Sequence, residues 1–553
     1  MLFKAVDIIE RDKRNKRGNK QPPQYFCAYY DFDQGKTKIY HNGEIEEYEG
    51  YSFSYQLPKN SIVFMNSNLG VLKYYLPGGK VSSYTRKKEV LEYKWNGVSF
   101  RSFNGICNRQ SIEDICKMFD VTEPVIAMNE FLSVFGDEKN VKRTLAATTK
   151  NMFFKDIKDE LWEDVKENKS YFNTIKDWKL AYCGNKAGLM ERSENFCLAD
   201  MCEGYDKKSA YPSYFVNDDK FPIGKLRQTK SLELFVERLS KKEWVKVVFS
   251  GDIKGLGSWY DERTGMTALE YYDIFSYILS NNLKTLLQIV KDNKGIFVYS
   301  EKTGYLNDTF RRKIVELYNL KNSIQKGSPQ YLLVKTQLDM LFGKSLQWQD
   351  FKSDAQLKHH YRGQGQNYLQ PQHGNHVIAA MRYEMYKCLD ICKKEDLLPV
   401  YHDTDGVKIL KNEKTKSIFE QLNSNIMKRN EDAGFKNLNI GIWDYEGEME
   451  HFAYFGEKQY VFVQDKKPVF KISGCDRECR IYLEERFLKS GVSMINDWIT
   501  NGFWYPLKRI ICDEDLPRIE ISSTRKKECK IYTLYKYKEN KGQNIGIQEM
   551  EVV

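Results

Sequence analysis

The sequence predicts a chain of mixed α and β class, and three features carry that expectation. The first hundred residues alternate short aromatic and β-branched runs with turn residues (QYFCAYYDF, KTKIYHNG, SIVFMN, GVLKYYL, GVSFRSF), a pattern of strands and hairpins. Two long stretches, 307–346 and 373–394, place apolar residues at helical spacing. LLPVYHDTDGVKIL at 397–410 reads as strand, tight turn and strand.

The remaining elements follow in chain order. SIEDICKMFD at 111–120 reads as a helix opened by Ser111, with Glu113 and Asp114 in its first turn. Residues 155–180 are charged and read as helical. WVKVVFSG at 244–251 suits a strand, and EYYDIFSYILSNNLKTLLQIV at 270–290 suits helix. In the 307–346 stretch, Gly327-Ser328-Pro329 divides two helices. The last ninety or so residues read as short strands and helices without a distinct motif.

Composition narrows the function classes. A chain of 553 residues carries a prior of three or four domains and can bury a core without disulfide or metal staples. The 41% apolar content, with 37 Tyr and 31 Phe, excludes a disordered chain. A mean hydropathy of −0.62 and the absence of any run of 18 apolar residues exclude a membrane-spanning one. Asp7 and Glu10 fall too early for the apolar stretch of a signal peptide. Twelve Cys are scattered, with CxxxC spacing at Cys388/Cys392 and Cys475/Cys479 but no CxxC pair, which reads as reduced cytosolic thiols. The 86 Lys and Arg against 76 Asp and Glu, a net +10, permit a polyanionic partner without requiring one. The one dense basic run is RDKRNKRGNK at 11–20.

Three fragments carry chemistry. Asp403-Thr404-Asp405-Gly406 sits at a hairpin tip between apolar arms, and two carboxylates two residues apart offer hard oxygen ligands suited to Mg²⁺. Taken alone, it reads more readily as an ordinary Asp-Gly turn. YDKKSAYPSYF at 205–215 puts Asp206 at a strand end, followed by Ser209 and Tyr211. Two-metal nucleotidyl transfer needs carboxylates from separate strands, and Asp206 and Asp405 could supply them. KNSIQKGSPQYLLVKTQLDMLFGKS puts Lys321 and Lys335 on helices. Lys335, Leu338 or Asp339, and Phe342 share one helical face, and such a basic, aromatic face suits a triphosphate and a base.

In this order, DxxSxYPS, KxxxDxxFG and DTDG resemble motifs A, B and C of family B DNA polymerases. Lys458-Gln459-Tyr460 is similar to the KxY motif that holds the primer terminus. Tyr182-Cys183-Gly184 looks like the YxGG/A motif of the small protein-primed phage and plasmid polymerases, whose length this chain shares. The motifs cover about residues 180–475.

The resemblance implies a right-hand fold of palm, fingers and thumb behind an N-terminal exonuclease-like (RNase H-like) domain. The implied boundaries are 1–185 for that domain, 186–250 and 373–465 for the palm, and 306–345 for the fingers. Insertions would occupy 251–305, contacting a priming protein or DNA, and 346–372; the thumb and C-terminal region would occupy 466–553. Asp206 and Asp405 would bind catalytic Mg²⁺, with Mn²⁺ as the alternative, and Asp403 would be a supporting carboxylate. Tyr211 would stack under the incoming sugar and exclude a 2′-hydroxyl. Lys321 and Lys335, with Lys207 and Ser209 nearby, would contact the triphosphate, and Phe342 would line the nascent base pair. Lys458 and Tyr460 would grip the primer, and Tyr182 and Gly184 the template.

The implied activity is template-dependent addition of dNTPs to a primer 3′-hydroxyl. The implied partners are template-primer DNA, dNTPs and a terminal priming protein, with a monomer acting in the cytoplasm of a bacterial host if the gene is viral or plasmid-borne. Two other readings are a DNA- or RNA-primed repair or defence polymerase and a catalytically silent nucleic-acid-binding scaffold. Motif B departs from the family's KxxxNSxYG, with Asp339 in place of Asn and Phe342 in place of Tyr, and motif C ends in Gly406 rather than the commoner Ser. The acids expected for proofreading are degraded. Asp7-Ile8-Ile9-Glu10 displaces the second acid of DxE, Gly70 stands where Asn66-Ser67-Asn68-Leu69 should lead to Asp, and 100–140 lacks YxxxD. Asp31-Phe32-Asp33 is the alternative first pair.

Overall fold

The computed structural model describes residues 24–535 and 548–550, apart from 32–33, 51–56, 67–68, 70–71, 73–75, 85–89, 108–109, 111, 136–140, 170, 184–195, 349, 364–367, 457, 476, 513–516 and 528–531. The basic run at 11–20, the Asp7–Glu10 pair, Phe32, Asp33, Gly70, Ser111 and Gly184 therefore lie outside the described residues.

Four of the five N-terminal runs expected as strands form them; GVLKYYL at 70–76 does not, since of its described residues Leu72 is helical and Leu76 lies in a bend, and both side chains bury in the core beside the sheet. The N-terminal strands are β1 (Tyr25–Asp31), β2 (Lys36–His41), β3 (Glu44–Glu49), β4 (Ile62–Met65), β5 (Lys80–Tyr84), β6 (Val90–Trp95) and β7 (Val98–Ser102). They make one sheet in the order β3-β2-β1-β4-β7-β6-β5, in which β1, β4 and β7 run parallel and the rest pair antiparallel. Apolar side chains line both faces. Phe26, Tyr30, Val63 and Phe100 bury on one, and Cys27, Phe64 and Phe103 pack on the other against helices Ile112–Phe119 and Pro124–Ser133. β1, which ends at Asp31, pairs parallel with β4, the middle strand of this sheet.

The charged stretch expected as one helical region divides into helices Leu145–Lys155, Trp162–Lys169 and Ile175–Tyr182. Thr174 caps the last of these and forms a capping box with Asp177, which stops the helix from running back into its predecessor.

The central sheet begins at β8 (Phe196–Lys207). The chain then leaves it for an antiparallel unit of β9 (Phe221–Thr229), β10 (Val245–Ser250), β11 (Tyr260–Asp261), β12 (Met266–Leu269) and β13 (Ile296–Gly304). This sheet runs in the order β11-β12-β10-β13-β9, with β9 paired to β13 and β10 to both β12 and β13. The chain returns through helices Asp308–Ser323, Pro329–Ser345 and Pro371–Lys394 to β14 (Pro399–Asp403) and β15 (Gly406–Leu410). Helix Thr415–Asp432 leads to β16 (Trp443–Gly456), β17 (Gln459–Gln464) and β18 (Lys467–Ile472). The central sheet runs β14-β15-β8-β16-β17-β18, with β8 between the two partners that carry the other acidic segments. A later strand, Tyr532–Tyr535, pairs parallel with the N-terminal part of β8. Among the described residues, no helix is long and apolar enough to cross a membrane.

Buried charges join the insertion to the rest. Arg382, on helix 371–394, meets Asp273, on helix Tyr271–Ser280, with Nε to Oδ1 at 2.8 Å and Nη2 to Oδ2 at 2.6 Å. The Asp273 side chain is fully enclosed. The same carboxylate accepts the Glu270 backbone N–H at the start of its helix. Removing one partner of such a pair strands a buried charge, which costs about 3–5 kcal/mol. Asp273→Ala is therefore expected to lower the unfolding free energy by about 3–5 kcal/mol, read as a shift of the urea midpoint. An unchanged midpoint would show that this pair does not hold the insertion.

Candidate active site

Strand pairing sets the geometry. Asp206 lies opposite Gly406 of β15 on one side and opposite Asp444 of β16 on the other. Asp403 of β14 is itself opposite Gly406. The turn between them is two residues long, and its first residue, Thr404, has φ +57. A β-branched residue in the left-handed region is strained, and such strain gathers at functional sites. The Thr404 hydroxyl donates to Asp403 Oδ1 at 2.7 Å, and the Lys207 backbone N–H donates to the Asp405 carbonyl at 3.0 Å. That second bond ties the turn to the strand carrying Asp206. Gly406 has a local reason as well: a Cβ there would come within 3.0 Å of Asp206 Oδ1. The departure from Ser in this motif thus leaves room for the carboxylate.

The acids strain against each other. Burial, then the charge of Asp405, pushes the Asp206 carboxyl up to about 7, with Glu446 and Asp444 adding to it and Lys408 opposing. Burial likewise raises Asp405, with Asp403 and Asp339 adding to it. Asp403 is held differently: Tyr401 donates to it at 3.2 Å, and Lys458 stands 3.8 Å from it. Among the described residues, no group of three or more His, Cys, Asp or Glu side chains gathers as a metal cage. Two mutually repelling carboxylates still fit a hard divalent ion that completes its shell with water and substrate phosphate, as Mg²⁺ does.

The opposite wall comes from the helices. Tyr211 stacks face to face on Phe342, with centroids 4.0 Å apart and planes at 7°. Lys321 donates to the Ser209 hydroxyl at 2.6 Å, and Ser209 itself has φ +50 just before helix Ala210–Asn217. Lys335 is exposed, one turn before Asp339 on helix 329–345. Asp339 is open to the cleft, and surrounding protein raises its carboxyl while Lys335 and Lys321 pull it down. Tyr460 pairs with Tyr454 across β16 and β17, and its ring packs 4.9 Å from Tyr401.

Two expected residues do not join this group. Lys207, neighbour to Asp206 on the strand, points to the other face, because successive side chains alternate. It is buried there, contacting Glu384 and, at 3.3 Å, the Tyr214 hydroxyl. Its ammonium is therefore part of a buried ion network rather than of the cleft. Tyr182 is also buried, packing on Trp178 and Trp348 and donating to the Gln347 carbonyl at 2.8 Å. It anchors the end of its helix and leaves no free ring for a template base. The sequence reading missed Asp444, Glu446 and Lys408. The alternation in WDYEGE, which puts Asp444 and Glu446 on one strand face, was the available signal.

The Asp206 shift sets a pH dependence. In the absence of divalent cation, the folded chain holds this proton more tightly than the unfolded chain does. The group's contribution to stability is therefore fully present below about pH 4 and lost as pH rises through about 7. With EDTA present, Asp206→Asn is expected to melt a few degrees above the parent at pH 8 and level with it at pH 4.5, the scale on which about 1 kcal/mol moves the Tm of a large domain. Equal melting at both pH values in a thermal scan would contradict the raised carboxyl.

No family model matches this chain, and no curated protein matches it in sequence. Solved structures do match. Phi29 DNA polymerase complexed with primer-template DNA and incoming nucleotide substrates aligns with a TM-score of 0.58 at 12% identity, covering 91% of this chain and 99% of that one. Phi29 DNA polymerase complexed with single-stranded DNA aligns with the same TM-score and identity, covering 91% and 100%. At so low an identity the likeness speaks for the fold, and it agrees with the resemblance read from the motifs. The chain has the fold of phi29 DNA polymerase.

Proposed function

We propose that this chain is a template-directed DNA polymerase that adds dNTPs to a primer 3′-hydroxyl, including a hydroxyl presented by a separate terminal protein. The observation that carries this reading is the convergence of distant segments on one cleft. Asp206 and Asp405 meet across paired strands, the stacked Tyr211 and Phe342 face them, and Lys321 and Lys458 flank them. The fold shared with phi29 DNA polymerase supports it. In this reading the central sheet is the palm, helices 308–323 and 329–345 are the fingers, and the residues after the central sheet form the thumb. The N-terminal sheet is an exonuclease-like domain. The chain acts as a monomer in the cytoplasm of a bacterial host, for viral or plasmid replication.

Each residue then has a task. Asp206 and Asp405 hold divalent cations, Mg²⁺ or Mn²⁺, which supply activation of the primer hydroxyl and stabilisation of charge at the α-phosphate and the leaving pyrophosphate. Asp403, held by Tyr401, Thr404 and Lys458, keeps the turn in place instead of serving as a principal ligand. Lys335 and Lys321 neutralise the triphosphate as point charges, with Ser209 positioning Lys321. Lys458 contacts the primer backbone beside Asp403, while Tyr460 packs behind it. Tyr211 lies under the sugar and Phe342 beside the base. The antiparallel unit from Phe221 to Gly304 is the surface that meets the priming protein or DNA.

Proofreading is weak in this reading, because the acids the family uses for it are displaced or missing in Asp7–Glu10, at Gly70 and over 100–140. The decisive assay is extension of a labelled primer with Mg²⁺ and dNTPs. Asp206→Ala and Asp405→Ala are each expected to lose at least 10³-fold in incorporation while retaining template binding, as loss of a metal-holding carboxylate removes several kcal/mol of transition-state stabilisation. Near-parental extension by either variant would sink the assignment. The same reaction without dNTPs is expected to leave a mismatched 3′ end intact.

Tyr211 gives a second measure. Its ring is fixed by Phe342, so a 2′-hydroxyl packed against it has no space. Tyr211→Ala is expected to raise CTP use relative to dCTP by about tenfold or more, the effect of ~1.4 kcal/mol of steric discrimination. An unchanged ratio of the two kcat/KM values would count against the sugar contact.

A further inference from the structure

Helix Pro329–Ser345 turns one face to the cleft. Lys335, Asp339 and Phe342 share it at i, i+4 and i+7, and Phe342 is fixed there by its stack on Tyr211. Lys335 and Asp339 are both exposed. Lys321, in the last turn of helix Asp308–Ser323, belongs to the same wall and donates to Ser209 at 2.6 Å. Lys326 is exposed in the link between the two helices.

Asp339 is the carboxylate set among these cations. Burial lowers the Lys321 ammonium, Asp339 lifts it, and Lys335, Lys208 and Lys326 lower it further. Of these, Lys208 is already paired with Asp444 at 2.9 Å. Asp339 also reaches the metal-holding pair: burial raises the Asp405 carboxyl, and Asp403 and then Asp339 add to that. Among the described residues, the Asp339 carboxylate makes neither an ion pair nor a hydrogen bond. It therefore acts on its neighbours through space, with nothing to hold it aside when an anion enters.

The consequence is electrostatic. In the polymerase reading, Lys321 and Lys335 meet the triphosphate as point charges. Asp339 offsets part of their attraction and repels the same guest, and that repulsion grows with the guest's charge. A bare triphosphate carries more negative charge than one bound to a divalent cation, so it is the more strongly repelled. We propose that Asp339 is a specificity-determining residue of the nucleotide site, standing against the triphosphate lysines so that a bare polyphosphate is held weakly and a cation-bound one is favoured. The inference rests on the polymerase reading for its placing of the triphosphate on Lys321 and Lys335.

The test is calorimetric titration of the full chain with inorganic tripolyphosphate, first in EDTA and then in excess Mg²⁺, which reads binding without any incorporation. In EDTA, Asp339→Asn, which keeps the side chain's size and removes its charge, is expected to bind about threefold more tightly than the parent or better, the scale of one partly screened charge. Asp339→Glu, which keeps the charge, is expected to bind as the parent does. Lys335→Ala is expected to bind about threefold more weakly or worse. Mg²⁺ is expected to tighten the parent by a larger factor than it tightens Asp339→Asn. The proposal is overturned if Asp339→Asn binds no more tightly than the parent in EDTA, if Asp339→Glu tightens binding as far as Asp339→Asn does, or if Mg²⁺ tightens both by the same factor. It is overturned too if Lys335→Ala binds as the parent does, since the polyphosphate would then sit elsewhere. Primer extension separates the two readings. A chain that meets these outcomes but extends no primer keeps this role for Asp339 and loses the polymerase reading, and one that extends primers but fails them loses this inference alone.

Discussion

Everything at the cleft depends on β8 lying between β15 and β16. That placement sets Asp206 across from the Asp403–Gly406 turn on one side and from Asp444 on the other. Burial first, and then the charges of neighbouring carboxylates, raises the carboxyls of Asp206 and Asp405. Left to itself, such a cluster would push the strands apart. The backbone bond from Lys207 to Asp405 and the pairing of β8 with both neighbours oppose that push. Strand pairing and that backbone bond thus hold the carboxylates side by side.

The support continues behind the sheet. Side chains alternate along β8, so the residue after Asp206 must face the opposite layer. A lysine in that layer is tolerable only with a counter-charge, and Glu384 from helix 371–394 provides it. Arg311 plays a comparable part elsewhere, donating to the Val216 and Ala433 carbonyls and so fastening helix 308–323 to the ends of two others. Among the described residues, buried ions in this chain mark the seams between its elements: Lys207 with Glu384, Arg382 with Asp273, and Lys246 with Glu270.

Local pattern made much of this legible. The helices on either side of Gly327-Ser328-Pro329, the long helix carrying His373–Lys394 and the hairpin at 399–410 stand where spacing and turn residues put them. Asp206, Tyr211, Lys321, Phe342 and Asp405 stood out as candidates because each lies in a short run of unusual composition. What escaped is non-local. No sequence pattern says that Glu384 will lie against Lys207, that β9 will pair with β13, or that Tyr182 will turn inward to Trp348. Strand alternation turns Lys207 away from the face that carries Asp206, which is why it does not join the triphosphate lysines expected of it.

The Tyr211–Phe342 stack has one more consequence. The two rings lie on each other and shield one another from water, one on helix 210–217 and the other on helix 329–345. A stacked pair of this kind is worth about 0.5–1.5 kcal/mol beyond its buried area. The two helices are thereby coupled, so a change that shifts either ring is felt at the other helix without any direct backbone contact.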